Sequence, residues 1–278
     1  MINCNGELLQ NEFMLSPNNR AFLYGDAVFE TFKIVNSKIL FLEDHYFRLM
    51  ASMRIVRMQI PANFTLEVIE SEILNLVNLL QIQNSARVRM TVFRNDGGLY
   101  LPQNKTVSYI IQASFIENQN YTFSTIDYEV DLYKDSYVAK QLLSTLKTTN
   151  KMINITGSIY AQENNLQNCI LLNNEKNVVE VLNGNLFMLL NNKLITPPIS
   201  EGCLNGIMRK QIIGLAKNEI NLEVCEEIIS PFDLQKADEL FFTNVISGIQ
   251  SITKYRKKNY DTLLAHKLIE KLNTSIFN

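Results

Sequence analysis

Apolar residues recur at helical spacing through Leu42, Tyr46, Leu49 and Met53, which predicts a helix over residues 42–58. A second helix is predicted over 65–82, where Leu66, Ile69, Ile73, Leu76 and the Leu79–Leu80 pair fall on one face. Elsewhere the period drops to two. INCNGELLQ reads as a hairpin and residues 29–35 alternate like a strand. RVRMTVF (87–93) and TVSYIIQA (106–113) read as strands around the turn-rich RNDGGLYLPQN. The polar stretch IENQNYT (116–122) reads as a linker. It divides the chain into an N-terminal domain over 1–115 and a C-terminal domain over 123–278. In the second, strands are predicted at 126–130, 169–172, 178–181, 186–190, 239–243 and 248–255. Helices are predicted there at 147–164, 206–217 and 259–275. The pattern is mixed α/β (α+β), without internal repeats or low-complexity tracts.

Composition removes several function classes. A length of 278 residues supports real cores, and a hydrophobic fraction of 46% is ordinary for a globular chain. The formal net charge is −2 and no Lys/Arg run occurs, so no nucleic-acid partner is expected. The start MINCNGELLQNEF lacks a basic region followed by an apolar one, which argues against a signal peptide. No apolar run approaches a membrane span, so no membrane partner is expected. Cys4, Cys169, Cys203 and Cys225 are scattered, with no C-x-x-C pair. Free thiols in a cytoplasmic protein are the plain reading, and no metal site is expected.

Six segments carry polar residues that chemistry could use. They are RAFLYGDAVFETFKI (20–34), FLEDHYFRL (41–49), LSTLKTTNKM (143–152), EVLNGNLF (180–187), GCLNGIMRKQI (202–212) and ELFFTNVISGIQ (239–250). Taken singly, each has a bland reading. Lys147 reads as a surface lysine, Glu180 as a strand-end carboxylate, and His45 as a packed core histidine. Thr243, Asn244 and Val245 read as the end of a buried strand. Taken together and in this order, the segments resemble the class IV aminotransferase and aminodeoxychorismate lyase family. The matches are a glycine-aspartate block ending in FETF, a D-H-x-x-R-L helix, K-x-x-N before a helix, E-x-x-x-x-N-hydrophobic-F, and G-I-x-R opening a helix.

The resemblance implies pyridoxal 5′-phosphate (PLP) as cofactor and a two-domain fold of PLP type IV. In that fold a smaller N-terminal α/β domain precedes a larger, barrel-like C-terminal α/β domain, and the protein is a homodimer. PLP chemistry needs a lysine for the aldehyde, an anion at the pyridine nitrogen, donors for the phosphate and a group for the substrate carboxylate. The resemblance assigns Lys147 as the Schiff-base lysine and Glu180, beside Asn185, as the pyridinium acceptor. It assigns the phosphate to Arg48, to the N–H groups of Ile207 and Met208, and to Asn244 and Val245. Helix N-termini and arginine forks both suit phosphate. Phe29, Arg94 and Tyr100 are candidates for the substrate, and Thr31 for guiding the reaction.

Departures from the pattern bear on the substrate, a small amine-bearing molecule. Met152 stands where branched-chain aminotransferases carry a cofactor-contacting Tyr. Leu99 and Tyr100 stand where D-amino-acid transaminases carry an Arg and a His. The FETF core and the GG-x-Y-x-P loop are similar to those of lyases. The leading expectation is therefore 4-amino-4-deoxychorismate lyase, releasing pyruvate and leaving 4-aminobenzoate for folate synthesis. The alternative is an aminotransferase acting on branched-chain or D-amino acids. A non-catalytic, purely binding member would have lost Lys147 or Glu180, and both are present.

Overall fold

The Asn5–Gly6 pair, both at positive φ, turns the chain between β1 (Ile2–Cys4) and β2 (Glu7–Leu9). This is the first hairpin of a computed structural model that describes residues 1–10 and 14–277. Two compact units emerge, one formed by residues 1–119 with 147–150 and the other by 120–146 with 151–278.

In the first unit, α1 (Arg20–Tyr24) starts at Asn19, whose side chain accepts from two backbone N–H groups. It stops at Gly25 in the left-handed region. Then follow β3 (Ala27–Val35), β4 (Lys38–Ile39), α2 (Leu42–Ile55), α3 (Leu66–Leu79), β5 (Ser85–Arg94) and β6 (Val107–Phe115). The sheet order is β2-β1-β6-β5-β3-β4, antiparallel throughout. Strand alternation sends Val28, Phe32 and Ile34 of β3, and Val88, Met90 and Val92 of β5, into one core. Leu49 and Met53 of α2 and Ile69, Ile73 and Leu76 of α3 meet them there. Thr65 caps α3 through its hydroxyl, which accepts from Val68 N–H.

The second unit contains β7 (Glu129–Val138), α4 (Met152–Glu163), β8 (Asn168–Asn173), β9 (Val178–Val181), β10 (Asn185–Leu190) and β11 (Lys193–Thr196). After them come α5 (Ile207–Asn218), β12 (Glu223–Glu226), β13 (Glu239–Asn244), β14 (Gly248–Ile252), β15 (Lys254–Tyr255), β16 (Lys258–Asn259) and α6 (Leu263–Phe277). Two five-stranded sheets result, ordered β12-β11-β10-β13-β14 and β16-β15-β7-β8-β9. Their inner faces share a core built from residues such as Val130, Ile170, Val181, Leu186, Leu240, Phe242 and Tyr255. Buried Glu239 accepts from the N–H groups of Leu264 and Ala265 and so fastens the start of α6.

Several elements differ from the sequence expectation. The helix expected over 147–164 begins only at Met152. Residues 147–150 join the first unit because they run extended along β3. Phe29 N–H donates to Lys147 O at 2.8 Å and Thr149 N–H to Ala27 O at 3.1 Å. The strand expected at 248–255 is interrupted at Thr253, whose N–H and hydroxyl turn to Tyr128. The short strands β11 and β12, the latter at a sheet edge, and helix α1 lack a periodic signal of sufficient length.

Behind β3 lies a buried ionic knot. Glu30, 1% exposed, receives Arg48 Nε at 2.7 Å and Nη2 at 2.6 Å, and lies 2.7 Å from His45 Nδ1. Burial alone would raise the Glu30 pKa, but Arg48 and His45 outweigh it and bring it down to about 2. Burial lowers the pKa of His45, which favours the neutral ring. A carboxylate depressed from 4.5 to about 2 contributes stability above its unfolded pKa and loses it as pH falls between those values. We therefore expect Glu30→Gln to cost about 3 kcal/mol at pH 7, because it leaves a half-compensated buried guanidinium. The gap from wild type should narrow in urea melts as pH drops from about 4.5 toward 2. A constant gap over that range would contradict this account.

Candidate active site

The face of the first sheet opposite its helical core is chemically different. Alternation places Phe29, Thr31 and Lys33 of β3 there, with Arg87, Arg89 and Thr91 of β5 directly across from Lys33, Thr31 and Phe29. Arg87 is exposed to solvent on this face, while Arg89 is half-buried and Lys33 buried. The Arg89 guanidinium stacks on Phe29 with its carbon 3.7 Å from the ring centroid. Its Nε donates to Thr91 Oγ1 at 3.1 Å. Burial, and then the charge of Arg87, push its pKa down. Lys33 is 1% exposed, and burial brings its pKa to about 8.

Lys147 enters the same group. The extended pairing of 147–149 along β3 brings its Nζ to 4.6 Å from the Phe29 ring centroid. Thr149 Oγ1 donates to Gly25 O at 3.1 Å, and Asn150 Nδ2 to the same oxygen at 3.3 Å. Gly25 has to be glycine here. Its φ is +63°, and a Cβ would collide with Asn150 Oδ1. The K-x-x-N spacing thus has a mechanical meaning in this chain: Asn150 and Thr149 tie the lysine segment to the turn before β3.

Arg94 corrects a sequence expectation. It was a candidate for the substrate carboxylate, but it is 6% exposed with every guanidinium nitrogen engaged. Nε meets Asp26 at 2.9 Å, Nη1 the carbonyl of Arg57 at 3.1 Å, and Nη2 that of Val56 at 2.7 Å. Asp26 also holds Arg20 Nε at 2.9 Å, and Arg20 Nη1 gathers the carbonyls of Gly97, Gly98 and Leu99. Arg20, Asp26 and Arg94 therefore build the 94–102 loop. Tyr100 sits on that loop, 89% exposed, with its ring 5.7 Å from that of Tyr24. Arg48 commits two nitrogens to Glu30 on the helical side of β3.

The second unit holds the remaining candidates. Glu180 Oε2 accepts from Leu204 N–H at 3.1 Å and lies 3.4 Å from Asn185 Nδ2. Asn185 also donates to Leu204 O at 2.8 Å, so it locks the turn that holds Glu180. Gly206 precedes α5 and has no side chain, since a Cβ would strike Asn185 Oδ1. With no side-chain cap at Gly206, the N–H groups of Ile207 and Met208 open α5 toward an anion. Helix α5 packs on β13, where the buried hydroxyl of Thr243 has no hydrogen-bond partner. An orphaned hydroxyl, an uncapped helix start and a fixed carboxylate fit the phosphate and pyridine nitrogen of PLP. Asn244 shapes the following turn by accepting from the N–H groups of Ile246 and Ser247. Val245 O receives the Tyr121 hydroxyl at 2.7 Å.

Sequence reasoning missed Arg89. The signal was present: Arg87, Arg89 and Thr91 alternate with the core residues Val88, Met90 and Val92. Cations on the second face of a strand whose first face is core mark a functional surface.

Comparison with known proteins agrees with this geometry. The family described as amino-transferase class IV matches residues 27–255. A putative branched-chain-amino-acid aminotransferase of Methanocaldococcus jannaschii is 28% identical over 88% of this chain and 84% of its own length. A D-alanine aminotransferase of Bacillus licheniformis is 24% identical over 99% of this chain and 95% of its own. The fold matches that of a putative 4-amino-4-deoxychorismate lyase from Legionella pneumophila, with a TM-score of 0.84 at 22% identity over 95% of this chain and 96% of that one. The chain belongs to the class IV aminotransferase family of PLP-dependent enzymes.

Proposed function

We propose that this enzyme is a 4-amino-4-deoxychorismate lyase. The observation that carries the reading is the Thr31–Arg89 cross-strand pair on the face that also bears Phe29 and Lys147. Among the described residues no carboxylate forms an ion pair with Arg89, and Lys33 and Arg87 share its face. A face this cationic suits a substrate with ring and enolpyruvyl carboxylates better than an aliphatic side chain. Thr31 adds a hydroxyl that can hand on a proton.

Bound PLP supplies the electron sink for the charge left on the amine-bearing carbon. Lys147 would hold the cofactor aldehyde, and its free amine would serve as general base at the amine-bearing carbon of the substrate. The ring C–O bond then breaks, its electron pair leaves with the enolpyruvyl group, and the ring becomes aromatic. Thr31 would hold the departing oxygen and relay a proton to it, giving the enol, which tautomerises to pyruvate. Arg89 takes a substrate carboxylate. Glu180, fixed by Leu204 and Asn185, would accept from the pyridinium N–H and keep it charged. The N–H groups of Ile207 and Met208, with the Asn244–Val245 turn, would hold the phosphate; the resemblance adds Arg48, two of whose guanidinium nitrogens are already held by Glu30.

A second reading, an amino-acid aminotransferase, is favoured by the sequence relatives named above. It needs the same proton removal by Lys147 but no leaving group. The protein also presents an apolar stripe on α4, with Met152 70%, Ile155 53% and Ile159 50% exposed. We infer that this face contributes to a homodimer.

The purified protein should show the visible absorbance of covalently held PLP, and Lys147→Ala should lose it. Borohydride reduction and peptide mapping should place the cofactor on Lys147, and a label elsewhere would overturn the assignment. Pyruvate should form from aminodeoxychorismate with no amino acceptor added; formation only with an acceptor means the aminotransferase reading is right. Thr31→Val should slow pyruvate release about a hundredfold with PLP affinity unchanged. Arg89→Gln should raise KM about tenfold or more. Light scattering should give the mass of two chains.

A further inference from the structure

Leu204 is the residue whose N–H fixes Glu180, and its own position depends on a carboxylate that the chemistry does not use. Glu201, 2% exposed, closes the short 3-10 turn Ile199–Glu201 three residues before it. Glu201 Oε2 accepts from Asn173 Nδ2 at 2.7 Å and Asn177 Nδ2 at 2.9 Å, and Oε1 pairs with Lys140 Nζ at 2.9 Å. Its backbone oxygen accepts from Asn173 Nδ2 at 3.2 Å. Burial would raise the Glu201 pKa, but Lys140 and the two amides bring it below the usual carboxylate value.

The pair does more than satisfy a buried charge. Lys140 lies on the strap 139–146, which runs directly into Lys147. The strap and the 201–206 turn are joined at three successive points. Lys140 meets Glu201. Ala139 O lies so close to Gly202 that a Cβ there, at φ +99°, would be 2.8 Å from it. Asn205 N–H donates to Thr145 O at 3.4 Å. One edge of this clasp leads to the lysine, and the other bears on Glu180 through Leu204 and Asn185.

We propose that Glu201 is a positioning residue for PLP: with Lys140 it clasps the 139–146 strap to the 201–206 turn, holding the Leu204 N–H on Glu180. The proposal rests on the PLP reading above. The chemistry of the clasp explains its reach. A glutamine at 201 would turn one of the two acceptor oxygens into an amide donor, set against either Lys140 or the Asn173–Asn177 pair, so the turn would relax at the point from which Leu204 is suspended. Glu180 would then lose a fixed donor, and its grip on the cofactor nitrogen would loosen.

The test compares Glu201→Gln and Lys140→Gln with Glu175→Gln, which removes only the exposed partner of Lys140. Two quantities are read: hydrogen exchange of the 203–206 amides in the PLP-free protein, and PLP affinity by absorbance titration. In Glu201→Gln these amides should exchange about tenfold faster, with β8 and β10 unchanged. PLP affinity should fall about five- to tenfold. Lys140→Gln should move both in the same direction by less, and Glu175→Gln should move neither. If Glu201→Gln melts lower yet keeps the wild-type exchange at 203–206 and wild-type affinity, Glu201 is merely structural and the proposal is wrong. If Glu201→Gln does not fold, Lys140→Gln decides by the same two readings. A wild type that binds no PLP refutes the functional reading, while the exchange result still decides the clasp.

Discussion

The first unit depends on the extended pairing of residues 147–149 with the start of β3. Two backbone hydrogen bonds and the Thr149 and Asn150 side chains turn a connecting segment into an added strand. That pairing decides where a lysine with four rotatable side-chain bonds will stand. Because Lys147 O accepts from Phe29 N–H, Lys147 Nζ comes to the Phe29 ring and so joins Arg89 and Thr31. A lysine on a free loop would lose its position to conformational entropy. Fixed on an edge of a strand whose other face is core, it keeps a geometry in which a proton can be taken repeatedly.

Three buried carboxylates show how differently the same cost can be met. Glu30 is held by a guanidinium fork and an imidazole, which overcome burial and depress its pKa to about 2. Glu201 is held by one lysine and two amides and is also depressed. Glu239 has backbone N–H groups of α6 and, among the described residues, no ion pair; burial dominates and its pKa rises. Strength therefore follows formal charge more than the number of donors. The clamp on Glu30 stiffens the helical side of β3. Lys33, Arg87 and Arg89 lie on the other face of the same strand pair.

Most of the architecture was legible in the chain, for physical reasons. Helices α2 and α3 have long amphipathic stripes, and β3, β5 and β6 alternate cleanly against one core. What escaped was set by contacts distant in sequence. The K-x-x-N segment reads as a helix start because Thr148 and Thr149 carry no mark of the strand they pair with 120 residues earlier. Arg94 looked available because it opens a glycine-rich loop; only the fold brings Asp26 and the carbonyls of Val56 and Arg57 to it. The role of Asn185 behind Glu180 likewise depends on Leu204 arriving from another turn. Motifs named the residue types that matter. Which of them point at substrate, and which hold the frame, was decided by burial.

Lyase and aminotransferase chemistry diverge only after the proton has left the amine-bearing carbon. Residues that serve the cofactor, the role we propose for Lys147 and Glu180, are therefore blind to the difference. Discrimination has to lie where the rest of the substrate rests. An enzyme for branched-chain substrates gains by lining that place with apolar atoms, since a desolvated arginine next to an aliphatic chain costs free energy with no return. Here the strand face next to Phe29 is filled by Thr31, Lys33, Arg87 and Arg89. Burial already depresses the pKa of Lys33 and of Arg89. A substrate carboxylate would relieve that strain, and a nearby hydroxyl gives a departing oxygen a proton source. The lyase selectivity we propose would thus arise from electrostatics on one sheet face, apart from the residues that serve the cofactor.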